Sequence, residues 1–172
     1  PSDVADGGYD VIDYRNVDPR LGSMADFDAM AAAAHEAGIK VIVDIVPNHT
    51  SNKHKMFIEA LAAGRGSAAR DRYIFRDGKG PNGDEPPTNW QNHFGGPAWT
   101  RVPDGQWYLH MFTKEQPDWN WENKEVRDKI YKMINWWLDK GLGGFRIDAI
   151  INIKKDTSFP SYEPDGDDGL VS

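Results

Sequence analysis

The sequence predicts a parallel α/β fold, because two apolar strands each follow a segment with helical spacing. Residues 39–46 form a β-branched apolar run, which is typical of a parallel strand buried on both faces. Residues 144–150 form a second such run that leads into a loop. Alternation of helices with strands favours a parallel sheet. Since two parallel strands cannot cover both of their own faces, we expect the chain to be a fragment of a larger fold.

The first helix is predicted to begin after Ser23 and to end at Gly38. Ser23 can cap the helix, and Asp26 follows three residues later as a variant of the capping box. Gly38 suits the position that terminates a helix. Apolar residues recur at helical spacing between these two ends. They are Phe27, Met30, Ala31 and Ala34.

The second helix is predicted to begin at Asn123 and to stop at Gly141. Glu125 lies in its first turn and Lys140 in its last, as the helix dipole favours. Its apolar stripe consists of Val126, Ile130, Met133, Ile134, Trp137 and Leu138. Residues 51–122, which precede the helix, are rich in Gly, Pro, Asn and Trp and are predicted to be largely irregular. A stretch of this length is normally functional or an inserted domain.

Composition limits the classes of function. The chain has 172 residues, a net charge of −7 and no cysteine. The negative charge argues against a nucleic-acid partner, and the lack of cysteine removes disulfides and thiolate metal sites. No apolar run is long enough to span a membrane, and no signal peptide is visible in residues 1–10. We therefore expect a cytoplasmic location and no membrane partner.

Polar side chains follow both predicted strands. Asp44, Asn48 and His49 lie at the end of the first, and Arg146 and Asp148 at the end of the second. In parallel α/β proteins the functional groups cluster at these strand ends. Arg146 and Asp148 are two positions apart and so point to the same face of the strand. They form either a structural ion pair or a carboxylate nucleophile that the arginine keeps ionised.

Metal binding is not predicted. His49 could bind a substrate hydroxyl or a backbone carbonyl, but it is five residues from His54, which is poor spacing for a metal. An acidic loop near the start could offer oxygen ligands for calcium. Its carboxylates belong to Asp3, Asp6, Asp10 and Asp13. The spacing does not match an EF-hand, so we interpret the loop as solvated and expect neither a metal nor another cofactor.

Four segments together resemble the α-amylase family of glycoside hydrolases (family 13), in its oligo-1,6-glucosidase and α-glucosidase branch. Residues 44–49 (DIVPNH) and 144–148 (GFRID) are similar to two successive family motifs at barrel strands three and four. Residues 116–123 (QPDWNWEN) and 8–15 (GYDVIDYR) resemble two further motifs. The four occur in the family's order and cover nearly the whole chain.

The resemblance implies a fold and a division of the chain. The fold would be a fragment of a (β/α)8 TIM barrel, around strands three and four with their flanking helices, with a small B domain inserted after the third strand. Residues 1–50 would then be a barrel segment with a loop, a helix and strand three. Residues 51–122 would be the B domain. Residues 123–172 would be a second barrel segment with a helix, strand four and the following loop.

The resemblance also implies roles for individual residues. Asp148 is similar to the family's nucleophile and Arg146 to its positioning partner. Asp6, Tyr9 and His49 resemble residues that bind glucose. Asp44 and Asn48, at the end of the first strand, resemble structural supports of the site floor. The substrate would be an α-glucosidic oligosaccharide, cleaved at a terminal glucose with retention of configuration through a covalent glucosyl-Asp intermediate.

The resemblance leaves the second carboxyl group of the reaction unassigned. The family's general acid is a Glu after the fifth strand, and the chain stops soon after the fourth. Glu163 is the only nearby Glu after Asp148, and its irregular surroundings give no reason to assign it. We therefore expect the 172 residues alone to be inactive. A glucosyl transferase or isomerase, of the sucrose isomerase or trehalose synthase type, and a non-catalytic relative are the alternatives.

Overall fold

The computed structural model describes residues 1–162, and Glu163 lies outside them. Strands β1 (Ile42–Ile45) and β5 (Gly144–Ile147) pair in parallel, which confirms the parallel α/β interpretation for these two elements. Asp44 is the direct register partner of Arg146. The register therefore places the polar ends of both strands side by side, as expected for neighbouring parallel strands.

Both strands are shorter than predicted, for two different reasons. The Ile39 N–H donates to the Ala34 carbonyl at 2.8 Å and so still belongs to the end of the preceding helix. At the other strand, Ala149 has a left-handed backbone with φ of 52°, which turns the chain out of the sheet directly after Asp148.

Helix α1 (Met24–Glu36) begins as predicted, with reciprocal hydrogen bonds between Ser23 and Asp26 that form a capping box. The apolar residues that recur along it are only partly covered. Met30 is 47% exposed, and no residue of α1 is fully buried. Met24 and Phe27 of α1 pack against the core, and the Phe27 ring meets Trp137 edge-on with centroids 5.2 Å apart.

Helix α3 (Lys124–Asp139) supplies much of the core. The Asn123 side chain caps it by accepting from the Glu125 N–H at 2.8 Å. Most of the predicted stripe is confirmed, although Leu138 is 43% exposed at the end of the helix. The buried members are Val126, Ile130, Met133 and Trp137.

The prediction that residues 51–122 are largely irregular was wrong in part. They contain helix α2 (Lys55–Ala63) and a three-stranded antiparallel sheet with the order β2-β4-β3. The strands are β2 (Phe75–Asp77), β3 (Trp99–Arg101) and β4 (Gln106–Leu109). Each is only three or four residues long, too short for an alternating pattern to be recognised.

One apolar core joins this middle segment to α3. Phe57 of α2 and Tyr73 belong to the same buried cluster as Val126 and Ile130. The Tyr73 ring stacks on Trp119 with centroids 4.6 Å apart. The division into three domain segments stays a prediction. Within residues 1–162, no helix has the length and apolar character that crossing a bilayer requires.

Candidate active site

The carboxyl ends of β1 and β5 bring two carboxylates to one arginine. Arg146 Nη1 lies 2.7 Å from Asp148 Oδ1 and 2.7 Å from Asp44 Oδ2. Arg146 and Asp44 contact each other across the strand pair, whereas Asp148 lies at the exit of Arg146's own strand. The side chain of Asp148 keeps 21% of its surface exposed, so it is accessible to a ligand.

Tyr9 closes one side of this cluster. Its hydroxyl lies 3.3 Å from Arg146 Nη1 and 3.5 Å from Asp44 Oδ2. The guanidinium carbon lies 5.9 Å from the Tyr9 ring centroid, within cation–π range. The pKa of Arg146 is raised, and the largest contribution comes from its hydrogen bond to Asp44. The guanidinium therefore stays charged throughout the physiological range.

The loop that carries Asp6 and Tyr9 is held by a buried carboxylate. Asp10 is fully buried; Oδ1 accepts from Ser2 Oγ at 2.7 Å and Oδ2 from the Asp3 N–H at 3.0 Å. The interpretation of this acidic loop as solvated was therefore wrong for Asp10. Asp6, on the same loop, has a left-handed φ of 48°, which is uncommon for a residue other than glycine. The hydrogen bonds of Asp10 help to hold the loop in this conformation.

His49 lies beneath the Tyr9 loop and is fully buried. Its Nε2 atom is 3.1 Å from the Tyr9 carbonyl and 3.0 Å from Gln116 Nε2. Burial lowers the pKa of His49, and the nearby Asp118 opposes that shift. The imidazole is therefore neutral at physiological pH.

Gln116 connects the remaining predicted residue, Asp6, to His49. Its Oε1 accepts from both the N–H and the hydroxyl of Thr113, each at 3.0 Å. The amide nitrogen consequently faces Asp6 Oδ2 at 3.1 Å. Since Gln116 is fully buried, its orientation is set by these contacts.

Asn48 belongs to a buried polar group beneath His49. Its Nδ2 lies 3.0 Å from His49 Nδ1 and 3.2 Å from Asp118 Oδ1, and its Oδ1 accepts from Lys155 Nζ at 3.0 Å. Lys155 Nζ also lies 3.1 Å from Asp118 Oδ2. The Lys155 side chain is 7% exposed and that of Asp118 is fully buried, so this is an internal ion pair.

All the residues singled out in the sequence as site residues lie in one hydrogen-bonded network, which also contains Gln116, Asp118 and Lys155. Gln116 and Asp118 belong to the third family-like segment, so the sequence carries a signal for both of them. Lys155 had no such marker, because it follows the second strand in a charged, irregular tail. Among residues 1–162 no group of three or more His, Cys, Asp or Glu side chains could hold a metal ion.

The chain is similar in sequence and in fold to known proteins. A model of the α-amylase catalytic domain matches residues 1–170. A probable oligo-1,6-glucosidase of Bacillus subtilis is 51% identical over 98% of this chain and 30% of its own length. The crystal structure of trehalose-6-phosphate hydrolase from Bacillus licheniformis superposes with a TM-score of 0.90 at 48% identity, covering 95% of this chain and 29% of that one.

A mutant trehalulose synthase in complex with Tris is similar to the same extent in structure. Its TM-score is 0.90 at 40% identity, again over 95% of this chain and 29% of the other. The chain thus spans about three tenths of the length of the relatives that it matches. With the family model matched over almost every residue, the chain belongs to the α-amylase family through its catalytic domain.

Proposed function

We propose that the protein is a retaining glycosidase that releases terminal α-linked glucose from oligosaccharides, with Asp148 as its nucleophile. The observation that carries this proposal is the contact of Arg146 with both Asp44 and Asp148 at the ends of adjacent parallel strands. The arginine keeps the Asp148 carboxylate in one position beside an accessible space. A carboxylate held in this way can attack the anomeric carbon of a sugar.

In the proposed reaction an Asp148 oxygen forms a bond to C1 of glucose while the bond from C1 to the leaving oxygen breaks. A general acid donates a proton to that leaving oxygen, and water later hydrolyses the glucosyl ester. Retention requires two carboxyl groups about 5–5.5 Å apart. We assign the general acid to none of the residues discussed above and expect it on a later barrel strand.

Asp6, Tyr9 and His49 are proposed to bind the glucose unit, with Asp44 and Asn48 as structural supports. Asp6 and Tyr9 lie on the loop above the Arg146 cluster. His49 Nε2 faces the Tyr9 carbonyl at 3.1 Å. An N–H at this atom is therefore already engaged in the free protein. A sugar hydroxyl at His49 would share this N–H with the Tyr9 carbonyl.

Glucosyl transfer or isomerisation is the second candidate, because the trehalulose synthase structure is as similar in fold as the hydrolase structure. Hydrolysis is favoured by the higher identity to the Bacillus subtilis relative named as an oligo-1,6-glucosidase. A non-catalytic role is disfavoured, since both Arg146 and Asp148 are present. Product analysis after incubation with sucrose and isomaltose distinguishes the two candidates: free glucose supports hydrolysis, and an isomeric disaccharide supports isomerisation.

The nucleophile is tested by the Asp148→Gly variant of the full-length protein with p-nitrophenyl α-glucoside. We expect activity to fall to background and azide to restore p-nitrophenol release, with β-glucosyl azide as the product. Azide would take the place of the missing carboxylate and attack from the same face of the sugar. The matched control is Asp156→Gly on the exposed loop that follows. Unchanged activity of Asp148→Gly, or an α-glucosyl azide product, would overturn the assignment.

A further inference from the structure

The amide of Asn48 has a fixed orientation beneath His49. Its oxygen faces the ammonium group of Lys155 at 3.0 Å, which can only donate a hydrogen bond. Its nitrogen faces the carboxylate oxygen of Asp118 at 3.2 Å, which accepts. A flipped amide would place oxygen against carboxylate and nitrogen against ammonium. The two charged neighbours thus determine which end of the amide meets the histidine.

This orientation directs an N–H group at the histidine ring. Asn48 Nδ2 lies 3.0 Å from His49 Nδ1, so Nδ1 must accept and carries no proton. The ring's single proton is then on Nε2, where the Tyr9 carbonyl accepts it at 3.1 Å. Gln116 Nε2 also lies 3.0 Å from this ring atom, but it donates to Asp6 Oδ2 at 3.1 Å instead. An imidazolium would place an N–H of the ring against an N–H of Asn48. The hydrogen bonds therefore run in one direction, from Lys155 through Asn48 and His49 to the backbone of Tyr9.

We propose that Asn48, oriented by Lys155 and Asp118, is a positioning residue that holds His49 in the neutral tautomer with its proton on Nε2. In this state His49 fastens the loop that carries Tyr9 to the end of β1. Lys155, on the segment that follows Asp148, donates to Asn48 in the same chain of hydrogen bonds. The buried His49 ring therefore links the segment after β5 to the Tyr9 loop.

Burial supports this assignment. Asn48, His49 and Asp118 are each fully buried, so water cannot compensate a mismatched donor or acceptor. The charged groups around the ring are Asp118 and Lys155 below it, Asp6 beyond Gln116, and Asp148. The three carboxylates would favour an imidazolium, but the amide of Asn48 occupies the position where its second proton would need an acceptor.

The direct test is nitrogen NMR of the full-length protein labelled with ¹⁵N-histidine. The His49 signals are assigned by their loss in His49→Gln. We expect an unprotonated Nδ1 and a protonated Nε2 in the wild-type protein. A proton on Nδ1 in the wild type would overturn the proposal without any need for a variant of Asn48.

A double variant reverses the hydrogen bond while conserving charge. Asn48→Asp combined with Asp118→Asn exchanges the amide and the carboxylate, so that an acceptor faces His49 Nδ1 and Lys155 keeps a carboxylate partner. We expect Nδ1 to become protonated in this variant. Asp118→Asn alone is the matched control, and it should keep the wild-type tautomer, because the oxygen of the introduced amide can still accept from Asn48. An unprotonated Nδ1 in the folded double variant would contradict the proposal.

The effect on turnover rests on the proposed function, whereas the tautomer does not. In the double variant His49 either becomes charged or moves its proton to Nδ1, and the resulting misplacement of the Tyr9 and Arg146 groups should lower kcat/KM on the order of 100-fold. A wild-type protein without glucosidase activity but with the expected tautomer would reject the proposed function alone. A reversed tautomer with unchanged kcat/KM would reject the positioning role of Asn48.

Discussion

Arg146 and Asp44 are register partners on adjacent parallel strands, and their side chains meet at 2.7 Å. The same guanidinium nitrogen contacts Asp148 at 2.7 Å. One arginine thus holds the proposed nucleophile against a second carboxylate that the neighbouring strand supplies. The position of Asp148 therefore depends on the register of the strand pair as well as on its own strand.

Replacing Arg146 by Lys is expected to reduce kcat strongly. Lysine keeps the charge but lacks the planar guanidinium that spans Asp44, Asp148 and the Tyr9 hydroxyl. We expect kcat in the full-length protein to fall roughly 100-fold, or about 3 kcal/mol, with a smaller change in KM. The matched control is Arg101→Lys on β3, whose side chain is exposed. Initial rates with p-nitrophenyl α-glucoside measure both, and equal rates for the two variants would contradict this role.

Replacing Lys155 by Met should destabilise the protein, because it removes the partner of a buried carboxylate. The Asp118 side chain is fully buried and lies 3.1 Å from Lys155 Nζ. Breaking a buried pair by removing one member costs about 3–5 kcal/mol in free energy of unfolding. Lys154→Met, at the exposed neighbouring position, is the control and should cost much less. Urea denaturation of both variants gives the comparison, and similar midpoints would refute a stabilising role for Lys155.

Stability should depend on pH through His54, which caps α2. Its Nδ1 accepts from the Met56 N–H at 3.2 Å, and burial lowers the pKa of His54 from 6.5 to about 4. In the unfolded chain His54 is protonated below pH 6.5, whereas in the folded protein it stays neutral until about pH 4. The stabilisation from His54 is complete above pH 6.5 and is lost as the pH falls to about 4, in total about 3 kcal/mol.

His54→Asn tests this pH dependence, because asparagine also caps helices but does not titrate. The free energy of unfolding should fall less steeply for the variant than for the wild type between pH 6.5 and 4. Chemical denaturation at several pH values measures the difference. All other titrating groups are shared by the two proteins, so parallel curves would show that His54 contributes nothing.

The elements that could be predicted from the sequence are those with a long local pattern. The apolar stripe of α3, with buried Val126 and Trp137, repeats over about four turns, and the box of Ser23 and Asp26 marks the start of α1. Helix α2 was missed because its nine residues bury only Phe57 and Ala60. The apolar residues of α1 have the expected spacing but stay partly exposed, because periodicity identifies an apolar face and does not supply the element that covers it.

The candidate site likewise contains residues that local spacing could predict and residues that it could not. Arg146 and Asp148 could be paired from their spacing on one strand, but the contact with Asp44 depends on strand register, which the spacing alone does not determine. Lys155 could not be predicted, since its buried partners Asn48 and Asp118 are distant in sequence. Its role emerges only when the segment after β5 folds back beneath β1.

The central claim, that Asp148 forms a covalent bond to glucose, is tested most directly by trapping that intermediate. The full-length protein would be treated with 5-fluoro-α-glucosyl fluoride, which forms the glycosyl-enzyme readily but releases it slowly. Peptide mass spectrometry should then find one fluoroglucosyl group on the peptide that contains Asp148, and fragmentation should place it on that side chain. A label on another carboxylate, or full turnover of natural substrate by a protein that never carries the label, would contradict the account.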